Sequence, residues 1–214
     1  PAAASDVTEA RFSVQALGVK VGELHIAGQI SAEGYVARGR FATTGLAGAL
    51  APVHFDMQAA GTKAFTPTSY VEEINTGTRQ SSARLSYSGG VPRLTGGRAA
   101  EPGAPVVDPA SQGGTVDPMT ALFAVLRDRA GEGFCDIDQV VYDGARRTRI
   151  ELKPKGETDC IGWFTREAGY SDKDLAAFPR FRVRLRHGAA SDGAMRVERV
   201  NVQTVHGPVT LVRR

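Results

Sequence analysis

Residues 11–44 read RFSVQALGVKVGELHIAGQISAEGYVARGRFATT. Apolar and polar side chains alternate along this stretch, and glycines interrupt the alternation. A period of two is typical of half-buried antiparallel strands, and glycine-bearing turns allow successive strands to pair as hairpins. The stretch therefore predicts neighbouring strands at 11–17, 19–30 and 35–44.

Further along the chain the same alternation predicts more strands, in two sets. The first set ends with strands predicted at 53–62, 69–76 and 79–87. The second set is predicted at 135–142, 146–152, 160–167, 180–187, 194–205 and 209–212. No internal sequence repeat accompanies them, so propellers and solenoids are not expected.

The segment between the two sets predicts a loop and then a helix. Residues 89–117 are rich in proline and glycine, which predicts a long loop, either a mobile flap or an interdomain linker. Asp117 as N-cap and Pro118 at the first helical position predict a helix that continues over 119–129. Its apolar stripe, which we expect to line a cavity, consists of Leu122, Phe123, Val125 and Leu126.

These elements predict a mainly β fold with one main α-helix. Because a lone amphipathic helix has to bury its stripe, we expect it to pack on or in a strongly curved antiparallel sheet or half-open barrel. All-β folds often reach 214 residues without dividing, so we expect a single domain over 1–214. The predicted loop then belongs to that domain as a flap.

Composition and charge limit the class of protein and of partner. Lys and Arg outnumber Asp and Glu by 26 to 23, and the net charge of +3 is too small to require nucleic acid. No apolar run approaches the roughly 20 residues that span a bilayer, so no transmembrane segment is expected. Residues 1–6, PAAASD, resemble the end of a secretory signal. We therefore expect an exported, periplasmic protein whose signal peptide has been removed.

Cys135 and Cys160 are predicted to form a structural disulfide. Exported proteins keep disulfides, and both cysteines stand at the starts of strands that we expect to be neighbours. Redox catalysis and metal binding are the alternatives, but there is no C-x-x-C motif and no further thiol or histidine at a ligand spacing. We therefore expect no metal and no cofactor.

Residues 180–186, RFRVRLR, alternate without a break. A strand here places four guanidinium groups on one face, the arginine stripe: Arg180, Arg182, Arg184 and Arg186. The stripe is either a solvated outer face or a surface for phospholipid headgroups, acidic glycolipid or an acidic protein. Arg146, Arg147 and Arg149 are candidates to extend it.

The sequence contains no arrangement typical of catalysis. G-x-S-x-G, which marks a hydrolase nucleophile, and the glycine-rich phosphate loop are both absent. Acidic pairs such as Asp136 and Asp138 are interpreted as a solvated strand face beside Arg146 and Arg149. We expect no catalytic residues and no enzymatic activity. An enzyme with a site assembled from scattered residues is the least favoured alternative.

The order of motifs in the second half resembles a known family. Asp117 and Pro118 open a helix, and Cys135, residues 141–147 (VYDGARR), Cys160 and residues 168–170 (AGY) follow. Residues 22–24 (GEL) and 45–46 (GL) fit the same pattern in the first half. On these motifs the chain resembles the domain of unknown function 3108 family. The resemblance implies an uncharacterised Gram-negative envelope protein with a signal peptide.

The resemblance implies no activity and no catalytic residue. The chain is also similar, more loosely and in fold only, to the periplasmic lipoprotein carriers LolA and LolB. In those carriers a half-open barrel covered by helices holds acyl chains. Fold alone does not give function.

Two functions follow as hypotheses. The first is a non-catalytic periplasmic protein that binds a lipid-like ligand or a lipoprotein in the cavity of the curved sheet and contributes to envelope maintenance. The alternative is an interaction or scaffolding module that holds another envelope protein by its edge strands or by the arginine stripe. A packed interior would count against the first hypothesis.

Overall fold

A computed structural model describes residues 6–77, 80–97, 103–129, 133–190 and 192–214. The strands are β1 (Asp6–Ala16), β2 (Val19–Ile30), β3 (Tyr35–Thr43), β4 (His54–Gly61), β5 (Pro67–Asn75), β6 (Gln80–Ser88), β7 (Val91–Gly97), β8 (Ile137–Tyr142), β9 (Arg147–Lys155), β10 (Asp159–Ala168), β11 (Arg180–Ala189), β12 (Met195–Thr204) and β13 (Gly207–Arg213). The helices are α1 (Gly45–Leu50), α2 (Pro118–Leu126) and α3 (Asp172–Ala177), with a short 3-10 helix at Pro109–Ser111. Residues 1–5, which hold most of the predicted signal remnant, lie outside the described residues.

The strands form one 13-stranded antiparallel sheet, in the order β7-β6-β5-β4-β3-β2-β1-β13-β12-β11-β10-β9-β8. Strands β1 and β13, the first and last along the chain, pair at the centre of the sheet, where Val14 lies opposite Leu211. Every other pair of neighbours is consecutive along the chain, so hairpin connections build both halves. The predicted mainly β, antiparallel fold class is confirmed.

The sheet curls until its two edge strands, β7 and β8, approach each other. Gly144 lies in the turn that follows β8, and a Cβ built on it would lie 3.2 Å from Leu94 Cδ1 of β7. In the described part of the sheet the two edge strands are not paired with each other. The result is a half-open barrel.

Residues 103–117 pack along the gap between the two edges. Gly114 N–H donates to the Gly90 carbonyl at 2.9 Å, at the turn before β7. Val116 forms a parallel bridge with Val141 of β8. This segment therefore covers both edges of the sheet, which leaves less exposed strand backbone for a partner to pair with.

The prediction of a loop over about 89–117 is wrong for residues 91–97, which form β7. Pro92 argued against a strand in the sequence because proline cannot donate to a ladder. In the structure it lies on an edge strand, where one side of the backbone has no neighbouring strand to bond. The part of this segment that is described beyond β7, residues 103–117, packs against the turn before β7 and against β8.

The helix α2 lies inside the curled sheet and contacts β2, β3, β4 and β8. Most of its residues are buried, so it has no solvated face: Met119, Thr120, Ala121, Phe123, Ala124, Val125 and Leu126. It ends before the predicted residue 129 because Arg127 is extended, with ψ 150°, and Arg129 forms a bridge with Met195. Within the described residues no helix is long and apolar enough to cross a membrane.

Two strand glycines make room for α2. A Cβ built on Gly28 of β2 would lie 2.5 Å from the Phe123 ring, and one built on Gly39 of β3 would lie 2.9 Å from Met119 Sδ. Both distances are shorter than a van der Waals contact. The helix therefore packs directly against the strand backbone at these points.

Gly28→Ala is expected to lower the free energy of unfolding by about 1–3 kcal/mol, because the new methyl group overpacks a buried ring. Gly39→Ala should cost less, since the flexible Met119 side chain can bend away. Urea unfolding of the two variants and the parent checks this order. Equal costs for the two variants would contradict the difference in packing.

Candidate functional site

A buried polar network holds the beginning of α2. Asp117 is fully buried. One of its carboxylate oxygens accepts the Thr120 N–H at 2.8 Å and the other accepts the Thr120 hydroxyl at 2.6 Å. Because that hydroxyl donates to Asp117, it accepts from Tyr35 Oη of β3, which lies 2.5 Å away. Burial raises the pKa of Asp117 to about 6, against the hydrogen bonds from Thr120.

Side chains fill the inside of the barrel around this network. The rings of Tyr35 and Phe65 stack with centroids 5.0 Å apart, and Phe123 lies 6.4 Å from Tyr35. The residues predicted to line a cavity all lie on α2. Phe123, Val125 and Leu126 are buried, and Leu122 is half-buried. The helix thus occupies the space in which an interior ligand was predicted.

The disulfide between Cys135 and Cys160 is present, with the two Cα atoms 5.3 Å apart. The prediction that it joins neighbouring strands is wrong. Cys160 lies on β10, Cys135 precedes β8, and β9 runs between those two strands. The reason is that β8 begins only at Ile137, so Cys135 lies in the turn before this strand and not in the strand itself.

His187 lies beside the disulfide, with Nδ1 3.7 Å from Cys160 Sγ and 3.2 Å from the Thr158 carbonyl that accepts its proton. Burial lowers the pKa of His187 and favours the neutral ring. Within the described residues, His187 and the two cysteines lie close enough together to hold a metal ion, but both sulfur atoms are bonded in the disulfide. This neighbour was not predicted from the sequence, although the inward alternation of β11 continues to residue 187.

The arginine stripe lies on the outer face of β11, because the apolar residues between its members are buried: Phe181, Val183 and Leu185. Two members share one carboxylate of β10. Arg184 Nε lies 3.1 Å from Asp159 Oδ2, and Arg186 Nε lies 3.1 Å from Asp159 Oδ1. These guanidinium groups lower the pKa of Asp159 to about 2. This half of the stripe is neutralised in part by the protein itself.

The other half of the stripe lies over an aromatic ring. Arg180 and Arg182 have their guanidinium carbons 4.3 Å and 5.4 Å from the ring centroid of Trp163. Trp163 is opposite Arg182 in the β10–β11 register. Among the described residues no carboxylate pairs with either arginine. We call Trp163, Arg180 and Arg182 the Trp–Arg patch.

Trp163 was not predicted as a partner of the stripe. It lies in a strand predicted at 160–167, and the inward face of that strand is fixed by Cys160. Residues at odd separation from Cys160 therefore face outward. What the sequence did not contain was the register that brings Trp163 opposite Arg182.

Comparison with known proteins identifies the family. The sequence model of a family described as "Protein of unknown function (DUF3108)" matches residues 11–162. The chain belongs to the DUF3108 family. The predicted resemblance is confirmed, and the matched region ends one residue before Trp163. The likeness to LolA and LolB stays a prediction.

Among solved structures, this DUF3108 chain is similar to a β-barrel-like protein of the domain of unknown function DUF1849 from Brucella abortus. The two chains are 10% identical, the TM-score is 0.47, and the alignment covers 100% of this chain and 96% of that chain. No curated protein matches the chain.

The arginines predicted to extend the stripe of this DUF3108 protein have partners of their own. Arg149 binds both oxygens of Asp138, at 2.8 Å and 2.6 Å. Arg147 Nε lies 2.7 Å from Glu167, and Arg146 lies over the Tyr170 ring at 5.3 Å. Unlike Arg147 and Arg149, the arginines of the Trp–Arg patch keep their charge unpaired in the described chain.

A groove of about 960 Å³ opens on the outer face of β1–β4 of the DUF3108 protein. Its charges are paired with one another, in the ion pairs Glu9–Arg11, Arg40–Asp56 and Glu23–Arg214. Mixed and self-paired charges attract an ionic ligand weakly. The groove is therefore a weaker candidate for a charged partner than the Trp–Arg patch.

Proposed function

We propose that this DUF3108 protein is a non-catalytic protein of the cell envelope that binds an anionic partner at the Trp–Arg patch. The pairing of the arginines carries the proposal. Arg184 and Arg186 share Asp159, whereas Arg180 and Arg182 lie over Trp163 with no carboxylate among the described residues. The protein then acts as an interaction or scaffolding module through its outer surface.

The ring prepares both guanidinium groups for a ligand. A guanidinium that lies over an indole face keeps N–H donors at its edges, and these match the geometry of carboxylate and phosphate groups. Because Trp163 restricts both side chains, less conformational entropy is lost when an anion binds. A stripe of fully solvated arginines would lack this advantage.

The disulfide supports the periplasmic location. Disulfides persist in oxidising compartments and are rare in the cytosol. Cys135 and Cys160 are buried, so the bond belongs to the packed core and not to an exposed redox site. Trapping of free thiols in intact cells, followed by fractionation, tests this location. A cytosolic protein with both thiols free would contradict it.

An interior lipid-like ligand, the first hypothesis from the sequence, stays a prediction and is the less favoured one. Such a ligand has to displace α2, whose buried residues and Asp117 network hold it inside the barrel. Native mass spectrometry of protein purified without a delipidation step separates the two hypotheses. A retained lipid favours an interior carrier, and its absence favours the surface module.

Removal of the two patch charges is expected to weaken binding to a polyanion. The test compares R180Q/R182Q with R84Q/R93Q, which loses the same net charge from exposed positions on β6 and β7. Binding to polyphosphate is measured at several salt concentrations. Each lost contact makes the negative slope of log K against log salt shallower by about 0.7–0.9. The slope for R180Q/R182Q should therefore be shallower than that of the parent protein by roughly 1.5.

The control variant should keep the slope of the parent protein. Equal losses in R84Q/R93Q and R180Q/R182Q would mean that only net charge matters, which would contradict the patch. W163A retains both charges and should bind more weakly than the parent, because its guanidinium groups are no longer restricted.

A further inference from the structure

One end of the barrel carries a set of exposed apolar side chains. The β1–β2 turn, α1 and the β12–β13 turn all lie at this end. We call five exposed residues in and beside these loops the apolar rim: Leu17, Val19, Leu46, Leu50 and Val205. Leu46 and Leu50 are 84% and 86% exposed, and no residue of α1 is buried. These leucines therefore add little to the packing of the fold.

The loops of the apolar rim are bonded to one another. Leu17 N–H donates to the Pro208 carbonyl at 3.3 Å, which joins the β1–β2 turn to β13. Thr44 N–H donates to the Val21 carbonyl at 3.0 Å, which joins the chain before α1 to β2. Residues 43–53, TTGLAGALAPV, contain no charged side chain. The rim is thus a continuous edge of loops, and part of it is entirely uncharged.

The Trp–Arg patch lies next to the apolar rim. Strands β11 and β12 pair with Val183 opposite Val202. Continued by three residues, this register brings Arg180 level with Val205. Trp163 lies on the other side of β11, opposite Arg182. Two unpaired guanidinium groups therefore lie near Val205 of the apolar rim, with the Trp163 ring beside them on the outer face of β10.

We propose that this end docks the protein on the surface of an anionic phospholipid bilayer, an inference that rests on the proposed anionic partner of the patch. The leucines of the rim insert among the acyl chains, as aliphatic side chains do at membrane interfaces. Arg180 and Arg182 pair with lipid phosphates. Trp163 takes the headgroup level that tryptophan prefers.

The arrangement of charges favours a bilayer as the occupant. Lipid phosphates form a layer above an apolar phase, and here the guanidinium groups lie beside the apolar tips in the same order. Among the acidic groups near this end, Glu23 pairs with Lys20 at 2.7 Å and Asp174 accepts from Ser171 at 2.7 Å, whereas the exposed Asp172 of α3 has no ion pair among the described residues. The Lys20 ammonium offsets the charge of Glu23, whereas the Ser171 hydroxyl leaves the charge of Asp174 in place.

Trp163 is the single tryptophan of the chain, so its fluorescence reports directly on this end of the molecule. The experiment mixes the full chain with vesicles of phosphatidylethanolamine and phosphatidylglycerol, or with vesicles of phosphatidylcholine alone. We expect a blue shift and quenching by brominated acyl chains with the anionic vesicles only. Partition is measured in parallel by co-sedimentation.

Two variants separate the contributions of charge and of apolar insertion. R180Q/R182Q is expected to partition roughly thirtyfold more weakly, from the loss of two charges near the surface. L46S/L50S is expected to lose roughly a hundredfold, about tenfold for each leucine. V7S/V36S, which changes two exposed valines at the opposite end of the barrel, should partition like the parent protein.

The outcomes distinguish this inference from the proposed function. If polyphosphate binding depends on Arg180 and Arg182 but no vesicle is bound, anion binding at the Trp–Arg patch is supported and membrane docking is overturned. Docking is also overturned if V7S/V36S loses as much partition as L46S/L50S. Concentration-dependent self-association that L46S/L50S abolishes, without vesicle binding, would assign the rim to a second copy of the chain instead.

Discussion

Reduction of the Cys135–Cys160 disulfide is expected to lower the free energy of unfolding by about 3.5 kcal/mol. The value follows from the chain-entropy model for a closed loop with a sequence separation of 25. Urea unfolding of the oxidised and the reduced protein measures it, with the thiol state verified by mass. The comparison isolates the covalent link, because both states keep the buried sulfur atoms.

The position of the disulfide predicts which part of the protein is destabilised most by reduction. The bond ties the turn at 133–136 to β10 across β9, and Phe134 of this turn lies against His187 with ring centroids 4.5 Å apart. Without the bond the turn is held to β10 by non-covalent contacts, and the edge strand β8 is held by its pairing with β9 and its bridge to Val116. We expect hydrogen exchange to rise more in β8 than in the central strands β1 and β2.

The control is C135A/C160A, whose unfolding should not respond to reductant. This variant should be at least as unstable as the reduced parent, since it also loses buried sulfur atoms. An unchanged midpoint in a parent protein that is fully reduced would contradict the expected stabilisation. Two free thiols in protein purified from its native compartment would contradict the bond itself.

Local sequence patterns predicted the fold well wherever neighbouring residues decide it. Alternation gave the strands of both halves except β7, and Asp117 with Pro118 marked the beginning of α2 correctly. The outward position of the arginines also followed from alternation alone, because the residues between them had to be buried. These features depend on side chains a few positions apart.

Features that join distant parts of the chain could not be predicted from the sequence. The pairing of β1 with β13 depends on how the whole sheet curls. The same is true of the disulfide that links Cys135 to Cys160 past β9. Strand glycines were visible in the sequence. That Gly28 and Gly39 face Phe123 and Met119 was not, since no local pattern reports what lies across the barrel.

The candidate site divides in the same way. The stripe was predictable, but the difference between its two halves was not, because Asp159 and Trp163 belong to a different strand. The register of β10 against β11 decides which arginines meet a carboxylate and which meet a ring. A prediction of unpaired charge therefore requires the pairing of strands as well as their sequence.

Asp117→Asn is expected to remove a large pH dependence from the stability of the protein. Burial raises the pKa of Asp117 to about 6 from an ordinary value of 3.8. The folded state therefore binds more protons than the unfolded state between about pH 4 and pH 6. The contribution of Asp117 to stability is complete below about pH 4 and is lost as the pH rises through about 6, which amounts to about 3 kcal/mol by about pH 7.

Asparagine keeps the oxygen that accepts the Thr120 N–H but cannot ionise. The cap is therefore retained, while the cost of a buried charge at neutral pH is removed. The measured quantity is the free energy of unfolding of the parent minus that of D117N, from urea curves at several pH values. This difference should fall by about 3 kcal/mol between about pH 4 and about pH 7.

Asp159→Asn is the control with the opposite sign. Arg184 and Arg186 lower the pKa of Asp159 to about 2, so its contribution is present above about pH 4 and is lost as the pH falls through about 2. The difference between parent and D159N should therefore rise with pH in the acid range and stay flat between about pH 4 and pH 7. If D117N and the parent keep a constant difference over that neutral window, Asp117 is not a buried carboxylate that ionises inside the barrel. The network with Thr120 and Tyr35 would then be open to water.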